Sequence, residues 1–291
     1  MPRNPAAGTA FGPMVLSAVE QNESPRRRLV DDDLAAPFLP LPLQAVVAAT
    51  RWAPVRRAVI GTSERYGPGL WANIACRKRY IDDNLTAALG DVDAVVVLGA
   101  GLDSRAYRLA RRSDVPVFEV DLPINIARKH NIVAKVLGAP PPSVHLVPVD
   151  FERDDLLGAL AGSGYRAESR TFFVWEGVTQ YLTESAVRAT FDQLSSVAAG
   201  SRIDFTYVRA DFLSGAELYG ADTLHRKFVR KREIWKFGMQ PEDVAAFLGG
   251  YGWRLREQLG PDEIRDRYIR PAGRHLTASQ IEWSAYAEKV D

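Results

Sequence analysis

The chain has 291 residues, with 37 basic and 36 acidic side chains and a formal net charge of +1 at pH 7. Apolar residues make up 46% and charged residues 25%, which excludes a disordered chain, and the near-neutral charge argues against nucleic acid as a partner. No stretch approaches the roughly 20 uninterrupted apolar residues of a membrane span, the N-terminus lacks a secretory pattern, and the single cysteine, Cys76, can form no internal disulfide. We therefore expect a cytoplasmic protein with no membrane partner.

The predicted elements change in character near residue 90. Before it, helix-like segments alternate with prolines and charge clusters, and no strand pattern is convincing. After it come short apolar runs suited to strands buried on both faces, at 94–98, 115–120, 144–149, 171–175 and 203–208. Helix-compatible stretches lie between them at 122–137, 154–161 and 184–199, followed by a helix at 241–248 and strands at 253–258 and 281–287. The alternation predicts βαβ units around a parallel sheet.

Glycines and carboxylates follow the predicted strands at the points where they end. The first strand ends in Gly99 and Gly101, and the next three end in Asp121, Asp150 and Glu176. In an open parallel sheet, ligands bind outside the carboxyl ends of the strands, so we expect these residues to share one crevice. A carboxylate after the second strand suits two ribose hydroxyls, and one after the third can accept a hydrogen bond from an adenine amino group.

The loop after the first strand is a poor pyrophosphate cradle. A dinucleotide-binding loop has a third small residue where this chain has Ser104, followed by Arg105. S-adenosylmethionine carries ribose and adenine but no phosphate, and its positive sulfonium suits a crevice lined by carboxylates. The pattern favours this cofactor over NAD. An NAD-dependent oxidoreductase and a non-catalytic regulator that keeps a nucleoside-binding sheet remain the alternatives.

Four ordered motifs carry a family resemblance: VVVLGAGLDSRAYRL, FEVDLP, VPVDFE and FFVWEGVTQYLT, supported by SPRRRLVDDDLAAPFL and ACRKRYIDD. Over residues 24–205 the chain resembles the leucine carboxyl methyltransferase family, in particular its bacterial branch of polyketide-tailoring O-methyltransferases. The resemblance implies a Rossmann-like class I methyltransferase fold of the α/β class, with a seven-stranded, mostly parallel sheet and one antiparallel strand near its edge. We expect residues 1–90 to form a helical cap over the cofactor. Residues 91–291 would form the core, with an insertion at 209–240 that helps to close the acceptor pocket.

The resemblance also implies which residues bind S-adenosylmethionine. Arg77 matches the arginine that grips the methionine carboxylate, a two-pronged task suited to guanidinium, and Arg79 is the substitute if the alignment shifts by two. The remaining implied contacts are Gly99 and Gly101 in the cofactor loop, Asp121 on the ribose, Asp150 with Phe151 at the adenine end, and Glu176 near the amino group and the reaction centre.

The implied reaction is O-methylation of a small molecule. A carboxylic acid, with a pKa near 4, is already an anionic nucleophile at neutral pH, whereas a phenol usually needs a base. No histidine falls in a motif at the reaction centre, and the scattered histidines give no metal-ligand spacing, so we expect no metal. The favoured product is a methyl ester of a polyketide-like acid, positioned by Tyr181 and the basic run at 225–236. The alternative is a phenol, with His225 as its base.

Structural explanations compete with several of these assignments. Asp103 with Ser104, and separately Asp150, could cap the helices that follow them, and Asp121 could serve only a turn. Cys76 reads as a packed small hydrophobe. The basic run at 225–236 reads as a solvated helix, with Phe228 and Trp235 packed underneath, rather than as a nucleic-acid surface, and a third reading is a lid over the acceptor pocket that attracts an anionic substrate.

Overall fold

Seven strands form one sheet at the centre of the computed structural model, which describes residues 11–290; residues 1–10, the start of the predicted cap, and residue 291 lie outside the described residues. The strands are β1 (Ala94–Leu98), β2 (Val117–Asp121), β3 (Val144–Pro148), β4 (Thr171–Trp175), β5 (Arg202–Val208), β6 (Trp253–Leu259) and β7 (Glu282–Lys289). Their order is β3-β2-β1-β4-β5-β7-β6. Strand β7 runs antiparallel to both of its neighbours, and the other pairings are parallel. The predicted seven-stranded, mostly parallel Rossmann-like sheet is confirmed, including its one antiparallel strand next to the edge.

Twelve α-helices surround this sheet in the described part of the chain. Those before β1 are α1 (Phe11–Glu20), α2 (Leu41–Ala49), α3 (Ala53–Tyr66) and α4 (Leu70–Ala88). Those between the parallel strands are α5 (Arg105–Leu109), α6 (Pro123–Leu137), α7 (Leu156–Gly162) and α8 (Glu184–Leu194). Those after β5 are α9 (Ala210–Ser214), α10 (Asp222–His225), α11 (Val244–Gly249) and α12 (Pro261–Ile264). Short 3₁₀ turns occur at Pro25–Arg27, Thr179–Tyr181 and Pro241–Asp243, and π-helical turns at Arg226–Lys231 and Arg265–Ile269.

The apolar runs predicted as strands are buried because the sheet is covered on both faces. All five residues of β1 are buried, and they alternate between two cores. Val95 and Val97 pack with the N-terminal helices, while Val96 and Leu98 pack on the opposite face with residues of α7 and α8. This two-sided burial is the reason that β-branched residues fill the strand without polar alternation.

The largest differences between predicted and observed helix boundaries concern α8 and α11. Helix α8 ends at Leu194 rather than at residue 199, because the hydroxyls of Ser195 and Ser196 donate to the carbonyls of Asp192 and Gln193 at 2.6 and 2.9 Å. Such local bonds compete with helix continuation. The helix predicted at 241–248 begins as a 3₁₀ turn before α11. No helix within residues 11–290 combines the length and apolarity needed to cross a membrane.

Candidate functional site

A cavity of about 640 Å³ opens at the carboxyl ends of the parallel strands. Its size is that of a small-molecule or cofactor pocket. Three regions of the chain build its wall: the loops after β1 to β4, helices α1, α3 and α4 from the N-terminal part, and residues 224–236 of the expected insertion. The crevice therefore lies at the position that the strand-end carboxylates predict, and helices of the expected cap adjoin it.

Backbone conformation after β1 requires glycine and brings the loop close to the cavity. Gly99 has φ +71° and Gly101 has φ +44°, in the region that L side chains rarely adopt. A Cβ atom on Gly99 would lie 2.3 Å from Cγ2 of Val178. The glycines therefore permit both the turn and the close approach of the loop after β4.

Asp121 ties this loop to the end of β2. Its Oδ2 accepts the N–H of Gly101 at 2.6 Å, and its Oδ1 accepts the N–H of Leu122 and the Asn125 amide, each at 2.7 Å. The side chain lines the cavity although the residue is only 7% exposed. Asp121 is thus more than a turn residue, and its implied bond to a ribose stays a prediction.

Asp150 and Phe151 follow β3 and also line the cavity. Asp150 does not cap α7: that helix is capped by Asp155, whose side chain accepts the N–H of Gly158 at 3.0 Å. Phe151 packs beside Trp175, with ring centroids 6.1 Å apart. Both residues lie where the resemblance places the adenine of the cofactor, and their contact with adenine stays a prediction.

Glu176, at the end of β4, lies in a buried cluster of charges. Its Oε1 accepts Nε of Arg77 at 3.0 Å and lies 3.5 Å from Nζ of Lys78, and its Oε2 accepts Nη2 of Arg105 at 3.1 Å. Burial raises the pKa of the Glu176 carboxyl, but Lys78, Arg77 and Arg105 together hold this pKa below its ordinary value. The carboxylate is therefore ionised and already paired with three cations. The sequence motif alone does not indicate these ion pairs.

Arg77 lines the cavity and is already paired with two carboxylates of the chain. Nε bonds to Glu176 and Nη1 bonds to Glu282, so only Nη2 is without an acceptor. Glu282 comes from β7, 205 residues away along the chain. The substitute, Arg79, is half-exposed outside the cavity and lies over the ring of Tyr268. The structure places Arg77, and not Arg79, in the cavity wall, and the implied contact of Arg77 with a methionine carboxylate stays a prediction.

The pair Asp103 and Ser104 links the loop to the N-terminal motif rather than serving only as a helix cap. Oδ1 of Asp103 accepts the N–H of Arg105 at 2.7 Å, and Oδ2 pairs with the same arginine's guanidinium. Ser104 makes no capping bond; its hydroxyl donates to Asp32 at 2.6 Å. The acidic motif near residue 32 thus stabilises the loop after β1 through the hydrogen bond from Ser104 to Asp32.

A second support for the loop is a buried ion pair that the sequence does not reveal. Lys129 of α6 is 1% exposed, and its Nζ lies 2.5 Å from Oε1 of the fully buried Glu119 in β2. The same Nζ donates to the carbonyl of Ala100 at 3.2 Å, between the two loop glycines. Oε2 of Glu119 accepts the Tyr107 hydroxyl at 2.7 Å. No pattern in the apolar run of β2 signals this pair.

The part of the cavity wall formed by Tyr181 and residues 224–236 is basic and aromatic. Phe228 and Trp235 stack with ring centroids 5.1 Å apart, and Tyr181 meets Trp235 edge-on at 6.4 Å. Nζ of Lys227 lies 4.8 Å from the centroid of Tyr66. Cavity-lining cations from this part of the wall that have no carboxylate partner within residues 11–290 are Lys227, Arg232 and Lys236.

The basic run is helical only in its first half, up to Lys231. After α10 it adopts a π-helical turn, Arg226–Lys231, and then runs without regular structure along the cavity. His225 is not brought to the cavity: its ring packs edge-on against Phe212, and Nε2 lies 3.3 Å from the carbonyl of Leu213. The fold thus gathers every predicted site residue except His225. Cys76 is fully buried, as expected of a packed residue.

Comparisons with known proteins agree with this geometry. Residues 10–195 match the family model of leucine carboxyl methyltransferase. A protein of Mycobacterium sp. (strain KMS), named as a candidate S-adenosyl-L-methionine-dependent methyltransferase, is 34% identical over 209 residues, which cover 67% of this chain and 64% of that protein. A second relative with this name, from Mycobacterium avium (strain 104), is 34% identical over 251 residues, covering 82% of this chain and 80% of its own.

Among solved structures, a DUF574 family protein from Streptomyces avermitilis superposes with a TM-score of 0.55 at 15% identity. The match covers 81% of this chain and 91% of that one. It supports the fold alone. The curated relative from strain KMS extends beyond the matched region, since this chain spans slightly less than two thirds of its length.

Proposed function

This chain belongs to the leucine carboxyl methyltransferase family, and from that premise we propose that it is an S-adenosylmethionine-dependent O-methyltransferase that forms a methyl ester on a small carboxylic acid. The observation that supports this best is that one cavity is lined by two groups of residues. One group, which we call the acidic end, consists of the glycine loop and the strand-end carboxylates; the other consists of Tyr181 and residues 224–236, with aromatic rings and cations that have no carboxylate partner within residues 11–290. The names of the mycobacterial relatives support the choice of cofactor.

The residues at the acidic end fit this cofactor. The glycine loop allows close approach, and Asp121 and Asp150 suit ribose and adenine. Glu176 and its neighbours Arg77 and Lys78 offer both signs of charge to a zwitterionic amino-acid group. When bound, S-adenosylmethionine supplies a methyl group activated by a positive sulfonium, which an oxygen nucleophile can displace.

The chain's own residues would then align the acceptor and exclude water, which accounts for much of the rate in displacements without acid–base chemistry. Tyr181 lies in the loop after β4, and the backbone N–H of Lys236 donates to the carbonyl of the preceding residue, Gln180, at 2.6 Å, so the basic segment is bonded beside Tyr181. An anionic acceptor held by Tyr181 and Lys236 would face the acidic end. The stacked rings of Phe228 and Trp235 suit a ring-bearing, polyketide-like acid.

A carboxylic acid is favoured over a phenol because it needs no histidine base. No histidine within residues 11–290 lines the cavity. The Glu176 carboxylate, with its pKa held low by three cations, is a poor proton acceptor near pH 7. An acceptor that is already ionised needs no base.

The test incubates the protein with S-adenosylmethionine labelled in its methyl group and a matched panel of aromatic acids and phenols, then treats the products with mild alkali. Methyl esters release volatile labelled methanol, and aryl methyl ethers keep the label. Alkali-labile label from the acids alone supports the proposal. Alkali-stable label on phenols, lost in His225→Ala, would replace it with phenol methylation.

A further inference from the structure

Lys78 on α4 is a buried ammonium whose bonding is incomplete. The residue is 7% exposed and lines the cavity. Its only ion pair within 4 Å among residues 11–290 is with Oε1 of Glu176 at 3.5 Å, its charge also acts on the more distant Asp103 and Asp32, and its Nζ donates no hydrogen bond there. An ammonium group has three N–H donors, and those of Lys78 are open to an oxygen acceptor in the cavity. The site therefore favours an additional oxygen acceptor at Nζ.

The neighbouring cations differ from Lys78 in this respect. Arg105 is held by Glu176, Asp103 and Asp82. Arg77 is held by Glu176 and Glu282 and keeps only Nη2 without an acceptor. A ligand carboxylate that approached either arginine on its bonded side would have to displace an existing carboxylate. Lys78 can take a new anion without such a loss.

We infer that Lys78 binds the carboxylate at the amino-acid end of the cofactor, beside the single free nitrogen of Arg77. The inference rests on the proposed function for the identity of the ligand. Because Nε of Arg77 and Nζ of Lys78 both face Oε1 of Glu176, the two side chains share one side of the cavity. One nitrogen of Arg77 and one of Lys78 would together make the two hydrogen bonds to the carboxylate that a single arginine could otherwise make.

The test is a binding cycle with two ligands and matched variants. S-adenosylhomocysteine carries the amino-acid carboxylate, whereas 5′-methylthioadenosine keeps the adenine and ribose and lacks that end. Each is titrated by calorimetry into the wild type, Lys78→Met, Lys78→Gln and the control Arg79→Met. The control removes a cation from the same helix but outside the cavity.

Loss of a hydrogen bond between charged groups weakens binding by about 10-fold to 100-fold. We therefore expect both Lys78 variants to raise the Kd for S-adenosylhomocysteine by at least about 10-fold. Binding of 5′-methylthioadenosine should change less than twofold, which also reports that the variants are folded. Arg79→Met should bind both ligands as the wild type does.

Two results would overturn the inference while leaving the proposed function intact. One is wild-type affinity of the Lys78 variants for S-adenosylhomocysteine. The other is an equal loss of affinity for both ligands, which indicates a structural role for the lysine. If the wild type binds neither ligand, the proposed function fails, and the inference fails with it.

Discussion

The buried pair of Lys129 and Glu119 makes a sharp prediction for the substitution Lys129→Met. Methionine fills a similar volume, so the main change is the loss of a charge that contacts Glu119 at 2.5 Å and the Ala100 carbonyl at 3.2 Å. Removing one partner of a buried ion pair costs about 3–5 kcal/mol, because the other charge is left uncompensated. Glu119 is fully buried and keeps only the Tyr107 hydroxyl, so we expect a loss of unfolding free energy in that range.

The pH dependence of this loss follows from the same pair. Burial raises the pKa of the Glu119 carboxyl, and Lys129 opposes that rise. Without Lys129 the folded-state pKa rises further above the unfolded value, so the carboxyl takes up a proton more readily in the folded protein. Protonation removes the uncompensated charge, and the stability deficit of Lys129→Met is therefore smaller at pH 5 than at pH 8.

Urea unfolding followed by tryptophan fluorescence measures the effect, and the double variant Glu119→Gln/Lys129→Met is its control. Glutamine retains an oxygen for Tyr107 and carries no charge, so the double variant should recover at least about 2 kcal/mol relative to Lys129→Met alone. A cost below about 1 kcal/mol for Lys129→Met, or a double variant no more stable than the single one, would refute the reasoning.

Three further predictions concern the acidic end of the cavity. Asp121→Ala should weaken S-adenosylhomocysteine binding by about 2–4 kcal/mol, the value of two hydrogen bonds to a charged group; calorimetry that finds less than a twofold change in a folded variant contradicts the ribose assignment. Arg77→Lys keeps the charge but cannot span Glu176 and Glu282, so ligand affinity should fall, whereas Arg79→Lys should match the wild type in the same titration; the reverse order would show that the motif is misaligned. The midpoint of thermal unfolding should fall as the pH drops below about 4. The pKa of Glu176 is lower in the folded than in the unfolded protein. Its contribution to stability is therefore present above the unfolded pKa and is lost as the pH falls through the folded pKa. A midpoint that rises over this acid range would contradict that sign.

The sheet and the strand-end residues could be predicted because their signals are local. A β-branched run such as 94–98, buried on both faces, leaves few alternatives to a central parallel strand, and the carboxylates at 121, 150 and 176 then follow from the edge at which such strands end. The charge network could not be predicted, since its partners are distant in sequence. Glu282 on strand β7, for example, contacts Arg77 on helix α4, 205 residues away along the chain.

His225 and Lys78 illustrate the two kinds of error that remain. His225 is a candidate base by its chemistry alone, but the short helix α10 turns its ring onto Phe212 and away from the cavity. Lys78 lies inside the motif ACRKRYIDD, next to Arg77, which the family resemblance selects. Only its burial and its single ion pair at 3.5 Å distinguish Lys78 as a further candidate for ligand binding. Residue type predicts what a side chain can do, and helix phase decides whether it faces the ligand.

The central claim is that the cavity is built for S-adenosylmethionine, and a calorimetric titration of the purified wild type tests it most directly. S-adenosylmethionine, S-adenosylhomocysteine and NAD are each titrated at pH 7 under identical conditions. The account predicts saturable binding of the first two ligands, with one site per chain, and no detectable heat of binding for NAD. Saturable binding of NAD together with no binding of S-adenosylmethionine would contradict it.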